Sequence, residues 1–338
     1  MADAHRGPRY QLAMAAAKAT QAALTAAHRN GGQLPGVIAE KIDPQILADV
    51  PRPQTVVCVS GTNGKTTTNN LLNDLLADNG YEVVNNRAGG NVANGIQSTL
   101  IRNATMSGGT KKDMAVMELD ELSFRKVLPY LTPDVILVTN LYRDSFSRNA
   151  NPDFIFNVMS HYVSPKTKLV LNADDLISCR LAPQDANRVY YSIGRLADDT
   201  AEPQGIVCDL TACPVCGGKL EYDYCHLRHL GHATCKSCGF TNPEPDYELT
   251  ALDREAHTFT VCERSHEGAP THTYRYGNYS ITNLYNLFST VVVARELGLS
   301  AETIGASLER GINVTALRYT EEEAGGKRLV AVASKGEN

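Results

Sequence analysis

The chain has no tryptophan and only 7 phenylalanines in 338 residues. It also lacks an excess of basic charge, since 32 Lys and Arg face 37 Asp and Glu for a net charge of -5. Binding to nucleic acid depends on a clustered basic face that neutralises phosphates, so this balance argues against a nucleic-acid partner. No apolar run reaches the ~18 residues that a membrane-spanning helix requires. The alanine-rich stretch 12–27 is interrupted by Lys18 and Gln21 and has no signal-peptide order. These absences predict a cytoplasmic protein whose N-terminal helix is solvent-facing or docked. No internal repeat is visible. The 9 cysteines are an odd number, which excludes a complete disulfide framework.

What is present is a regular alternation. Residues 54–60 form a β-branched apolar run that stops at Gly61, as a buried parallel strand entering a loop does. Leu71, Leu72, Leu75 and Leu76 then recur at helical spacing until Gly80. Strand-like segments follow at 82–84, 114–117, 135–139, 169–171 and 189–191, with a helix-like stretch at 92–101. Strands alternating with helices predict βαβ units and a mostly parallel sheet covered on both faces, an α/β fold. Short alternating stretches at 247–276 predict hairpin strands, 281–297 predicts a helix, and 327–333 one more strand.

The junction after the first strand reads Gly61-Thr62-Asn63-Gly64-Lys65-Thr66-Thr67. A glycine-rich turn into a helix aims backbone N–H groups at phosphate oxygens, and the helix dipole adds positive potential there. Lys65 is then expected to reach the β- and γ-phosphates of ATP, and the Thr66 hydroxyl to ligate Mg²⁺. The loop is shorter than the common pattern, whose first glycine would fall at Val59. Glu118 ends the strand-like run 114–117 and is followed by Leu119, Asp120 and Glu121. A carboxylate at the C-terminal end of a parallel strand lies on the ligand-binding edge of such a sheet. Mg²⁺ takes hard oxygen ligands, with one or two carboxylates, which makes Glu118 a candidate ligand.

Between 208 and 242 the texture changes to glycines, tyrosines, histidines and paired cysteines. Cys213-x-x-Cys216 and Cys235-x-x-Cys238 are two knuckles, each followed by glycine. Four thiolates at this spacing close a tetrahedral site and predict a structural Zn²⁺. His226, His229, His232 and Cys225 lie between the knuckles and are expected on the surface or in packing. Cys58, Cys179, Cys208 and Cys262 show no partner pattern.

Taken in order, the loop, the segment Met117-Glu118-Leu119-Asp120-Glu121, Thr139-Asn140-x-x-Arg143-Asp144, Leu171-Asn172-Ala173-Asp174-Asp175 and Asn283-Leu284-Tyr285-Asn286 resemble the central domain of the Mur ligase family. That resemblance implies ATP-dependent carbon–nitrogen ligation, in which a carboxylate is phosphorylated to an acyl phosphate and then attacked by an amine nitrogen. The inserted four-cysteine ribbon is similar to that of the ligase-type subunits of lipid II isoglutaminyl synthases. Three features agree: the first strand begins near residue 54, leaving too little chain before it for a UDP-binding domain; Leu34-Pro35-Gly36 and Ile42-Asp43-Pro44 look like that branch's lead-in; and residues 145–165 contain no lysine.

The resemblance implies amidation of the D-glutamate α-carboxylate of lipid II, at the membrane surface, to D-isoglutamine in peptidoglycan biosynthesis. The ammonia would come from a GatD-type glutaminase in a heterodimer. Residue by residue, Gly61, Thr62, Asn63, Gly64, Lys65, Thr66 and Thr67 would hold the phosphates, with Lys65 and Glu118 as catalytic groups. Thr66 and Glu118 would hold Mg²⁺, Asn91 would face the γ-phosphate or the acceptor, Asn283 and Asn286 would lie near the adenine, and Cys213, Cys216, Cys235 and Cys238 would hold zinc. The implied domains are a helical lead-in at 1–52, the ATP-binding domain at 53–315 with the ribbon at 208–242, and at 316–338 the start of a C-terminal domain that is largely absent. After Asp144 the family pattern is kept only at Arg148, and Arg318 matches loosely. Two other readings fit the same motifs: a Mur-like amide ligase of the folylpolyglutamate type, and a nucleotide-binding scaffold subunit without activity.

Overall fold

A computed structural model describes residues 6–29, 32–87, 90–141, 151–182, 186–203, 210, 212–227, 229–276, 281–311, 319–324 and 327–332, with backbone alone for 281–283 and from 319 onward. Arg143, Asp144, Arg148, Cys208 and Arg318 lie outside these residues.

Three helices, Pro8–Ala26 (α1), Leu34–Ile42 (α2) and Ile46–Asp49 (α3), precede the first strand, Thr55–Ser60 (β1). Lys65–Asp78 (α4), Val83–Asn85 (β2), Ala93–Asn103 (α5), Met114–Glu118 (β3), Phe124–Val127 (α6) and Val135–Val138 (β4) continue the alternation. Then come Pro152–Tyr162 (α7), Lys168–Asn172 (β5) and Arg188–Ile193 (β6). A small hairpin, Leu220–Leu227 (β7) and Leu230–Cys235 (β8), interrupts the series before Tyr247–Asp253 (β9), Thr258–Glu263 (β10) and Thr271–Arg275 (β11). Helices Ile281–Glu296 (α8) and Ala301–Arg310 (α9) follow, and strands Tyr319–Ala324 (β12) and Lys327–Val332 (β13) pair antiparallel. Strand β13 falls within the strand expected at 327–333, whereas its partner β12 has no counterpart among the expected strands.

Nine strands form one sheet in the order β11-β10-β9-β6-β5-β4-β1-β3-β2. Pairing is parallel from β2 through β9 and antiparallel for β9, β10 and β11. The period-2 geometry of a strand sends alternate side chains to opposite faces, and β1 shows the consequence. Val56 and Cys58 join one core with Met14 of α1, Ile96 and Leu100 of α5, and Phe124. Val57 and Val59 join the other, with Leu72, Leu75 and Leu76 of α4 and Phe288 and Val292 of α8. Both faces are covered, which is why β1 and β4 read as continuous apolar runs.

The alanine-rich segment proves to be a docked helix. Tyr10, Ala13, Met14 and Ala17 of α1 are buried, and Lys18 Nζ donates to the carbonyls of Ile101 (2.9 Å) and Ala104 (2.5 Å) at the end of α5. Small side chains let α1 approach its neighbours closely. Among the described residues no helix is long and apolar enough to cross a membrane.

Strand order locates the ligand edge. From β1 the chain runs through α4 to β2 and returns by α5 to β3, beside β1; it then crosses to β4 on the other side of β1. The direction of winding reverses at β1, and ligands of open parallel sheets bind outside the carboxyl ends of strands at such a switch point. The Gly61–Lys65 loop begins there.

Candidate functional site

The loop's shape is set by its two glycines. Gly61 has φ +120° and Gly64 φ +86°, a region that L side chains rarely adopt. Space forbids a side chain as well: a Cβ at Gly61 would collide with the Thr139 hydroxyl, and one at Gly64 with the Asn286 carboxamide. Asn140 grips the loop by main chain and side chain, its carbonyl accepting from Thr62 N–H (2.8 Å) and its Oδ1 from Asn63 N–H (3.0 Å). Thr139 Oγ1 donates to the Asn63 carbonyl at 2.6 Å. Gly64 is the N-cap of α4 and no side chain caps that helix. The first-turn N–H groups of a helix have no intrahelical partner, so the loop presents a place for anionic oxygens.

Beside it, three polar side chains converge. Thr66 Oγ1 donates to Glu118 Oε2 at 2.7 Å, and Asn91 Nδ2 donates to Glu118 Oε1 at 2.9 Å. Glu118 itself is fixed by Asn86, whose Oδ1 accepts from Glu118 N–H (2.9 Å) and whose Nδ2 donates to the Glu118 carbonyl (2.8 Å). A hydroxyl, a carboxylate and a carboxamide oxygen are hard donors of the kind Mg²⁺ takes, and they stand next to the open helix end. Asn86 was missed in the sequence, where its position two residues beyond a short strand carries no distinguishing signal.

Lys65 adopts a place that the motif did not foretell. Its ammonium lies 3.0 Å from Glu121 Oε1 and also donates to the carbonyls of Gly61 and Thr62. Burial raises the Glu121 carboxyl above the usual carboxylate range, with Lys65 pulling the other way. Glu121 is thus the acidic partner on which the Lys65 ammonium rests. In the sequence it was visible only as one member of an acidic cluster. Asp120, another member, accepts from Leu122 N–H at 3.1 Å and caps a short turn.

Asn286 lies against Gly64, on the loop itself. Asn283 is in the first turn of α8, and its side chain lies outside the described residues. Thr67 follows Thr66 in the first turn of α4.

The four ribbon cysteines come together. Their Sγ atoms all lie within 4.8 Å of one another, with Cys213 to Cys238 at 3.7 Å and Cys216 to Cys235 at 3.5 Å. A tetrahedron with metal–sulfur bonds of ~2.3 Å has edges of about 3.8 Å, so the cluster fits a metal ion. The knuckles are built alike: Gly217 N–H donates to the Cys213 carbonyl (2.9 Å) and Gly239 N–H to the Cys235 carbonyl (3.0 Å), with φ of +73° and +74° at the two glycines. Further N–H groups, of Val215 and Gly218, lie 3.4 Å from the sulfurs of Cys213 and Cys216. Among the histidines, His226 has a buried side chain, with Nδ1 2.7 Å from Asp199 and Nε2 2.9 Å from the Ile193 carbonyl, and His232 pairs with Asp223 at 2.6 Å. Hydrogen bonds to an aspartate, buried for His226 and at the surface for His232, occupy both rings.

Comparison with known proteins bears on this geometry. Residues 59–214 match the Mur ligase middle domain. Subunit MurT of the lipid II isoglutaminyl synthase (glutamine-hydrolyzing) of Staphylococcus aureus (strain COL) is 35% identical over 295 residues, covering 87% of this chain and 64% of the relative. The corresponding subunit of Streptococcus pneumoniae (strain ATCC BAA-255 / R6) is 29% identical, covering 83% of this chain and 61% of the relative. The chain therefore spans somewhat under two thirds of the length of these curated relatives. A solved pseudomurein peptide ligase type C from Methanothermus fervidus superposes with a TM-score of 0.61 at 26% identity, covering 79% of this chain and 51% of that one. The glycine loop at the switch point of the sheet thus lies within the part of the chain, residues 59–214, that is a Mur ligase middle domain.

Proposed function

We propose that this chain is the ATP-dependent ligase part of a lipid II isoglutaminyl synthase. In this reading Gly61 to Thr67 hold the phosphates of ATP, and Thr66 and Glu118, with Asn91 beside them, hold Mg²⁺. The metal supplies neutralisation of the charge that develops on the transferred phosphoryl group. The D-glutamate α-carboxylate of lipid II attacks the γ-phosphorus, forming a carboxyl–phosphate bond as ADP leaves. Ammonia from a GatD-type glutaminase then attacks the acyl carbon, and phosphate departs with one of the original carboxylate oxygens. Lys65 leaves Glu121 for the phosphates when nucleotide arrives, and Asn286 keeps the loop in place from the α8 side. The four cysteines hold a structural Zn²⁺, and residues 53–315 act as the nucleotide-binding unit.

The single observation that carries the reading is the convergence of Thr66, Asn91 and Glu118, within 2.7 to 2.9 Å, at an uncapped helix end. Relatives named as lipid II isoglutaminyl synthase subunits support the substrate. The test combines the chain with a GatD-type glutaminase, ATP, glutamine and lipid II, and follows the stem peptide by mass spectrometry. Amidated product and ADP in equal amounts are expected. ADP formation that responds to added amino acids and not to ammonia would instead assign another Mur-like amide ligase.

A further inference from the structure

The paired aspartates at the end of β5 serve no role in the chemistry above, yet both are buried. Asp174 is 2% exposed and Asp175 0%. Buried carboxylates are costly unless their partners are fixed, and here the partners come from three different parts of the fold.

Asp175 reaches toward the nucleotide loop on one side. Its Oδ2 accepts from Leu141 N–H at 2.7 Å. Leu141 follows Asn140, the residue whose carbonyl and carboxamide hold Thr62 and Asn63. Asp174 reaches the loop on the other side. Its Oδ2 accepts from the Tyr285 hydroxyl at 2.7 Å and from Ile193 N–H at 2.8 Å. Tyr285 precedes Asn286, whose carboxamide fills the space beside Gly64. The two carboxylates thus fix both walls of the loop.

The third partner is the cysteine ribbon. His229, in the turn between β7 and β8, is fully buried and places Nε2 3.3 Å from Asp175 Oδ1, so a proton on Nε2 is donated to the carboxylate. Burial works to raise the Asp175 pKa, and the His229 hydrogen bond leads the contacts that bring it below the usual carboxylate value. Gly231 N–H donates to the Asp174 carbonyl at 3.0 Å. Asn242, just beyond the second knuckle, donates from Nδ2 to the carbonyls of Ala173 (2.6 Å) and Gly231 (2.8 Å) and accepts from Ala233 N–H (2.8 Å). Every ribbon residue that grips the aspartates lies in or beside a two-stranded hairpin, which is marginal without further support. In a hairpin of this size, metal-binding free energy is folding free energy.

We propose that the metal-loaded ribbon is a positioning element for the nucleotide loop, acting through His229 on Asp175 and through Gly231 on Asp174. Metal occupancy and nucleotide affinity are then linked, and the linkage is reciprocal: bound nucleotide tightens metal retention by the factor by which metal tightens nucleotide. This rests on the reading of the loop as a nucleotide site and of the cysteines as a metal site.

The test uses calorimetric titration of Mg·ADP into the zinc-loaded chain, into the chain stripped with a zinc-selective chelator, and into zinc-loaded His229→Leu and His229→Gln variants. Zinc content and melting temperature are recorded for each. Stripping is expected to weaken ADP binding by roughly fivefold or more, the lower end of ordinary coupling. H229L should retain its zinc and lose affinity to a similar degree, while H229Q, which keeps a donor for Asp175, should bind near the wild-type level. The glutamine rescue separates positioning from bulk packing. The two variants also decide the matter should the stripped chain unfold, since both keep all four cysteines. Unchanged ADP affinity in zinc-loaded, folded H229L would overturn the proposal. Failure of the zinc-loaded wild type to bind ADP at all would overturn the nucleotide reading beneath it, a separate and distinguishable result.

Discussion

Thr66 Oγ1 and Glu118 Oε2 meet at 2.7 Å although they are 52 positions apart in the chain. One lies in the first turn of α4, after the loop that follows β1, the other ends β3, and the parallel pairing of Val59 with Glu118 brings the two together. In the proposed Mg²⁺ site this hydroxyl and carboxylate would supply two of the six ligands of an octahedral shell. Glu118→Gln keeps the shape and removes the negative charge. We expect it to weaken Mg·ATP more than ATP alone, by roughly tenfold to a hundredfold, measured by titration with and without Mg²⁺. Equal loss in both conditions would assign Glu118 a packing role.

Lys65→Ala should remove a charge-assisted contact with phosphate of ~1.5–3 kcal/mol, or about ten- to a hundredfold in affinity. Because that change also strands the buried Glu121 carboxylate, the comparison is made in a Glu121→Gln background. The single variant E121Q is expected to bind ADP at least as tightly as wild type, since it frees Lys65 from its resting partner. Retained affinity in the double variant would contradict the role given to Lys65.

At Gly64 the chain has φ +86°, and Asn286 fills the volume a side chain would need. Gly64→Ala is expected to cost about 1–2 kcal/mol for the left-handed backbone, with further loss of ADP binding from displacement of Asn286. Chemical denaturation and ADP titration measure the two effects. Adding Asn286→Ala should recover part of the steric loss but none of the backbone cost.

Asp174 provides a pH test. Burial pushes its carboxyl up to about 6, against the pull of His226 and the hydrogen bonds from Ile193 N–H and Tyr285. A carboxyl with a raised folded-state pKa keeps its proton in the native state over a range where the unfolded chain has lost it. Its contribution to stability therefore falls as pH rises from about 4 to about 6. Relative to Asp174→Asn, the wild type should lose roughly 3 kcal/mol across that interval, read from urea unfolding at each pH. A difference between wild type and variant that is constant with pH would show that Asp174 titrates normally.

The loop, the acidic strand end and the cysteine knuckles were legible in the sequence because each is a local pattern whose spacing reports its geometry. So was the parallel sheet, whose buried strands read as apolar runs such as Val135–Val138. What remained hidden depends on residues distant in sequence meeting in space. Nothing near Glu121 announces that Lys65 rests on it. Asn86 looks like any polar residue after a strand. His229 was expected in a packing or surface role, and its contact with Asp175 across 54 positions follows only from where the ribbon docks on the end of β5. Strand β12 has an acidic run, Glu321 to Glu323, that masks its pairing with β13.

Metal content gives a further check. Emission spectrometry should find about one zinc per chain, and the double variant Cys213→Ser/Cys235→Ser, which removes the two buried ligands, should contain almost none and melt several degrees lower. Full zinc in that variant would contradict the four-cysteine site.

In the proposed function ATP activates a carboxylate at the Gly61–Lys65 loop. This activation is tested most directly by supplying lipid II with a heavy oxygen isotope in the D-glutamate α-carboxylate, together with ATP and a source of ammonia, and analysing the phosphate released. Transfer of one labelled oxygen to each phosphate is predicted, because the acyl phosphate breaks between carbon and that oxygen. Amidated product accompanied by unlabelled phosphate would contradict the account.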